Sequence, residues 1–134
     1  MLEALDADWE IICVDDGSRD GSLERLLELA RTNTRIKVLQ LTRNFGKESA
    51  LTAGLEASSG DVVVPIDADL QDPPTLIAVM LDKWRKGYDI VYAATGISVT
   101  PLIRSSRRRD YSRRPLTPPG KRFRTTAVHV KHLS

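Results

Sequence analysis

A chain of 134 residues with 41% hydrophobic content has the length of one domain and enough apolar material for a core, which excludes a fully disordered protein. Its apolar runs fall far short of the roughly 18 residues of a membrane span, and the acidic start MLEALDADWE is unlike a secretory signal, so the cytoplasm is the expected compartment. The net charge of +2 conceals an acidic part, with ten basic and seventeen acidic residues in 1–93, and a basic part, with ten basic residues and the single acid Asp110 in 94–134. The asymmetry divides the chain into a folded domain, 1–94, and a basic tail, 95–134, expected to be disordered.

In chain order, WEIICV (9–14) reads as a buried strand. Its Cys13, the single cysteine, is expected to be a buried, inert thiol, and redox chemistry is not indicated. The turn DDGSRDGS follows, with Asp20 or Ser22 available to cap a helix. That helix carries Leu23, Leu26, Leu27 and Ala30 on one face, the spacing of a stripe turned toward a sheet. IKVLQL (36–41) is a second strand and TRNFGKE a loop, in which Phe45 is expected to plug the core and Lys47 to be solvated. A second helix over 47–58 has the small-residue face Ala50, Ala53, Gly54 and Ala57, which allows close approach to the sheet.

DVVVPI (61–66) is a third strand, and its unbroken apolar run calls for cover on both faces, as in a parallel sheet. Pro65 lacks a backbone donor and is expected at the strand's end or beside a bulge. Pro73 and Pro74 suit the first turn of a third helix capped by Asp72, with Ile77, Met80, Leu81 and Trp84 as its buried stripe. Gly87 stops that helix, and a fourth strand follows. The alternation predicts an α/β fold, an open, mostly parallel sheet with helices on both faces.

In such sheets ligands bind beyond the carboxyl ends of the strands. Two acidic clusters fall there, Asp15 and Asp16 after the first strand, and Asp67 and Asp69 after the third. If residues 67–69 stay extended, Asp67 and Asp69 point to one side, because side chains alternate along a strand. Paired carboxylates, with Gln71 adding a neutral oxygen, suit a hard divalent cation such as Mg²⁺ or Mn²⁺ that neutralises a substrate's phosphates. Aspartates at strand ends also serve as turn formers and caps. Spacing alone leaves both readings open, and Asp72 is read as a cap.

The motifs EIICVDDGSRDGS, LTRNFGKESALTAGLEASSGDVVVPIDADLQDPP and WRKGYDIVYA resemble the nucleotide-binding half of family 2 glycosyltransferases with the GT-A fold. The resemblance covers about residues 8–94 and is strongest to the dolichol-phosphate-mannose-synthase-like and bactoprenol glucosyl transferase-like branch. It implies a partial GT-A fold and an enzyme that moves a sugar, with inversion, from a UDP-sugar or GDP-mannose donor to a polyprenyl phosphate. It implies that Asp15 or Asp16 contacts the nucleoside, and that Asp67, Asp69 and Gln71 hold the Mg²⁺ or Mn²⁺ bridging the diphosphate, so that Asp67 also contributes to nucleotide binding. No residue is assigned as the catalytic base. Full-length relatives are expected at the cytoplasmic face of the membrane.

The chain departs from this family pattern at both ends. The family's first strand, with a Pro-x-Tyr-Asn-Glu-like motif, has no counterpart here, and the acceptor-side and membrane elements after the fourth strand are replaced by the basic tail, whose texture suggests truncation or a shifted reading frame. Loss of a central strand predicts exposed ladder edges, weak nucleotide binding and little turnover. Three other readings compete. A phospho-acceptor receiver domain shares the paired acids and Mg²⁺ but expects a later lysine that is missing, and a dinucleotide-binding domain expects a Gly-x-Gly-x-x-Gly that is absent. A non-catalytic protein could use RSSRRRDYSRRP and GKRFR to bind nucleic acid or an anionic membrane surface. A charge run without aromatic interleaving or amphipathic period is usually just solvated, nucleic acid is the disfavoured partner, and His129 with His132 lacks a Cys or nearby acid to complete a metal site.

Overall fold

The computed structural model describes residues 8–67, 75–88, 90–94, 99–104 and 124–132, with side chains described for 8–66, 75–88, 90 and 91. The elements are β1 (Asp8–Asp16), α1 (Ser22–Thr32), β2 (Ile36–Gln40), α2 (Lys47–Ala57), β3 (Val62–Asp67), α3 (Thr75–Arg85), β4 (Ile90–Ala94), β5 (Val99–Arg104) and β6 (Arg124–His132). They form one six-stranded sheet in the order β2-β1-β6-β3-β5-β4. β1, β2, β3 and β6 pair in parallel, and β5 runs antiparallel to both β3 and β4. The mostly parallel α/β architecture expected from the sequence is present.

The valine run of β3 shows why both faces are covered. Val62 and Val64 pack with Ile77, Met80, Leu81 and Trp84 of α3, while Val63, pointing the other way, packs with Ile12, Val14 and Ala50. Helices therefore lie on opposite faces. The stripe read for α3 is buried at all four positions. In α2 the small face brings Ala50 and Gly54 fully into the interior, whereas Ala57 is exposed. The α1 stripe is weaker than expected: Leu23, Leu26 and Ala30 are half-buried and Leu27 is exposed, because α1 packs beside β2, an outer strand of the sheet.

Caps and turns follow local chemistry. α1 is capped by Gly21, without a side-chain cap; Asp20 instead accepts from the backbone N–H and hydroxyl of Ser22, at 3.2 and 2.6 Å, and shapes the approach to the helix. α3 ends as predicted at Gly87, whose φ of 103° suits a residue without Cβ, and whose N–H donates to the Trp84 carbonyl at 2.9 Å. Pro65 lies within β3, at neither an end nor a bulge. Among the described residues the β5 pairing stops at Val63, so Pro65 has a ladder partner there only on the β6 side. The Asp72 cap and Pro73–Pro74 lie outside the described residues.

Two spans of the stretch expected to be a disordered tail are strands. Residues 99–104 insert between β3 and β4, and residues 124–132 insert between β1 and β3. The β-branched residues Thr125, Thr126, Val128 and Val130 suit a strand, and their partners are more than a hundred residues away along β1. The expected open edges beside β1 and β3 are therefore filled by β6. No helix among the described residues is long and apolar enough to cross a membrane.

Candidate functional site

The apolar run of β1 ends in two carboxylates that are 1% (Asp15) and 0% (Asp16) exposed. Burial of charge at this depth requires compensating donors. Asp16 obtains them from the loop ahead of α2: its Oδ1 accepts from the Phe45 N–H at 2.8 Å and its Oδ2 from the Gly46 N–H at 3.0 Å. Asp15 accepts from the Ser18 hydroxyl. Gly17 has a φ of 78°, and a Cβ there would stand 3.0 Å from the backbone N of Asn44. The DDGS turn and the NFGK loop are consequently one packed unit at the carboxyl edge of the sheet.

Asp67 is the last residue of β3 and reaches the same edge. Through β6 the registers align: Val130 pairs with Val14 on one side and Asp67 on the other, Lys131 pairs with Asp15 and His132 with Asp16. Asp67 is thus level with Val14, one residue short of Asp15. With one strand between them, β1 and β3 are separated by two strand spacings, about 10 Å. Two acidic strand ends therefore share one edge. Asp69 and Gln71, and the side chain of Asp67, lie outside what is described, so the convergence expected of Asp67 and Asp69 lies outside it too. Among the described residues no three His, Cys, Asp or Glu side chains gather to hold a metal. The donor set itself, two carboxylates and an amide, consists of oxygen ligands and fits Mg²⁺ or Mn²⁺.

Other residues behave differently from their sequence reading. Phe45 is 46% exposed, with the Arg43 guanidinium 4.6 Å from its ring centroid, so it does not plug the core. Its backbone, held by Asp16, is what the loop uses. Lys47 is exposed, as expected. Cys13 is buried, and burial pushes its thiol up to about 11, which keeps it protonated and unreactive at neutral pH.

Sequence reasoning missed Glu10, a charge inside the apolar run WEIICV. It is 5% exposed and accepts from Lys37 Nζ at 2.7 Å, the Ser59 N–H at 2.7 Å and the Ser59 hydroxyl at 2.8 Å. It ties β1 to β2 and to the turn before β3. The lone acid in a predicted strand was the signal that could have found it.

Comparison with known proteins agrees with this architecture. The chain is 56% identical over 93 residues to an uncharacterized glycosyltransferase of Synechocystis sp., a match covering 69% of this chain and 29% of that protein. It is 48% identical over 84 residues to the bactoprenol glucosyl transferase of Shigella phage SfV, covering 63% of this chain and 27% of the relative. A putative glycosyltransferase of Bacillus subtilis is 40% identical over 98 residues, covering 73% and 30%. The chain thus spans less than a third of the length of these relatives. The family model for glycosyl transferase family 2 matches residues 1–133, and with nearly the whole length so covered the chain belongs to that family.

Proposed function

We propose that this chain forms the donor-binding part of a glycosyltransferase that moves a sugar, with inversion, from a nucleotide-sugar to a polyprenyl phosphate at the cytoplasmic face of a membrane. The observation that carries the reading is the shared edge: the ends of β1 and β3, each acidic, lie across one strand from each other, Asp67 one residue short of Asp15. That separation suits a nucleoside diphosphate, its nucleoside toward β1 and its phosphates toward β3. Asp16 is committed to the 45–46 backbone, which leaves Asp15 as the stronger candidate for the nucleoside contact. Support for the acceptor class is the name of the bactoprenol glucosyl transferase relative, which mentions bactoprenol.

Asp67, Asp69 and Gln71 would hold Mg²⁺ or Mn²⁺. The bound ion supplies Lewis-acid neutralisation of the charge that develops on the leaving nucleoside diphosphate. The chain's own residues orient the donor: the DDGS turn fixes the nucleoside end, and the carboxylates after β3 fix the diphosphate end, so that the anomeric carbon faces an incoming phosphate oxygen. Direct displacement by that oxygen inverts the carbon and needs no enzyme nucleophile.

Titration calorimetry with UDP and GDP, with and without Mg²⁺, tests the reading. Binding of one nucleotide should depend on the ion and weaken about ten-fold or more in Asp67→Asn and Asp69→Asn, because each removes a charged oxygen ligand. Ion-independent binding, or binding unchanged in both variants, contradicts it.

A further inference from the structure

The NFGK loop presents an aromatic ring to solvent on a backbone tied down by three hydrogen bonds. The Phe45 N–H donates to Asp16 Oδ1 at 2.8 Å, and the Gly46 N–H donates to Asp16 Oδ2 and to Asn44 Oδ1, each at 3.0 Å. Gly17 closes on the same loop, where a Cβ would stand 3.0 Å from Asn44 N and 3.4 Å from the Arg43 carbonyl carbon. Phe45 is nonetheless 46% exposed, with the Arg43 guanidinium 4.6 Å from its ring centroid.

A single exposed apolar side chain is ordinary on a protein surface. This ring is set apart by its anchoring and its place. Its backbone is fixed by a buried carboxylate, and a cation–π contact restrains the ring, so a ligand that stacks on it meets little ordering cost. The ring also hangs from the residue that bonds Asp16, which keeps it within one side chain's length of the acidic end of β1. That strand end is where the nucleoside of the donor is placed, and Asp15 belongs to the turn against which the loop packs. Carboxylates recognise a nucleoside through its hydroxyl and N–H groups and offer nothing to the faces of the base. A base face stacks on an aromatic ring whatever the base's identity.

We propose that Phe45 is a stacking residue for the nucleobase of the donor, with Arg43 as the positioning residue that steadies its ring. The inference rests on the proposed function, since it requires a nucleotide at the ends of β1 and β3. It adds a contact to the base, separate from the sugar and from the phosphates.

Titration calorimetry with UDP, GDP and inorganic pyrophosphate, each with Mg²⁺, separates the base from the phosphates. Phe45→Leu keeps the backbone N–H that Asp16 holds and removes the ring. It should weaken the nucleotide that the wild-type chain binds about ten-fold and leave pyrophosphate unchanged. Phe45→Tyr should bind that nucleotide as the wild type does. Arg43→Gln should produce part of the loss, again without affecting pyrophosphate, and Arg43→Lys, which keeps a cation over the ring, should recover it. Fluorescence gives a second readout. Trp9 and Trp84 are buried, so the indole introduced by Phe45→Trp is the exposed one, and its emission should be quenched by the nucleotide and not by pyrophosphate. Nucleotide binding unchanged in Phe45→Leu, or no quenching in Phe45→Trp, overturns the stacking role and leaves the proposed function standing. Equal loss of nucleotide and pyrophosphate in Phe45→Leu also overturns it, because a general loss marks a disturbed loop. Nucleotide binding unchanged in Arg43→Gln overturns the role given to Arg43. A wild-type chain that binds neither UDP nor GDP overturns both this inference and the proposed function.

Discussion

Asp16 and Gly46 are joined by a hydrogen bond of 3.0 Å from the Gly46 N–H to the Asp16 carboxylate, beside a second at 2.8 Å from Phe45. One fully buried side chain thus fixes the start of α2 against the end of β1. Asp16→Ala removes both acceptors, leaving the part-buried Phe45 N–H unmet and the Gly46 N–H with the Asn44 Oδ1 alone at 3.0 Å, at a cost of about 1–3 kcal/mol. Denaturant unfolding should show that loss, and exchange of the Phe45 and Gly46 amides should quicken more than exchange in α3. Equal stability of the variant would show that the contact does not hold the loop.

Gly17 makes the matching contact from the backbone side. Gly17→Ala places a Cβ at 3.0 Å from Asn44 N in a left-handed conformation, so both strain and crowding act. A loss of about 1–3 kcal/mol is expected, with amide shifts concentrated in residues 43–46. Shifts confined to residues 16–18 would contradict the packed-loop description.

Burial of Cys13 sets a pH dependence at the alkaline end. The folded thiol, pushed up to about 11, holds its proton more tightly than an unfolded one near 9.0. Its contribution to stability is full below pH 9 and lost as pH rises through about 11, amounting to about 2 kcal/mol. Cys13→Ser should flatten that part of the stability profile, and alkylation at pH 8 should require unfolding. Rapid labelling of the folded chain at pH 8 would contradict the burial.

The elements with local signals were legible in the sequence. Ile77, Met80, Leu81 and Trp84 announce their helix by spacing, Gly87 announces its end, and the unbroken Val62–Val64 run announces cover on two faces. β5 and β6 were not legible, because their pairing is decided by distant partners and their few apolar residues sit among arginines. Phe45 misled for a related reason. Aromatic character suggests a core position, but the loop is held through its backbone by Asp16, which leaves the ring outside. For the site, the acidic strand ends were visible as residues, while their alignment required β6, which no periodicity announced.

Paramagnetic broadening by Mn²⁺ tests the central claim most directly. With substoichiometric Mn²⁺ added to the ¹⁵N-labelled chain, broadening should centre on the amides of residues 66–72, extend to residues 15–18 across the shared edge, and disappear in a chain carrying Asp67→Asn and Asp69→Asn. Broadening centred elsewhere, or persisting undiminished in that double variant, would contradict a divalent-cation site at the carboxyl end of β3.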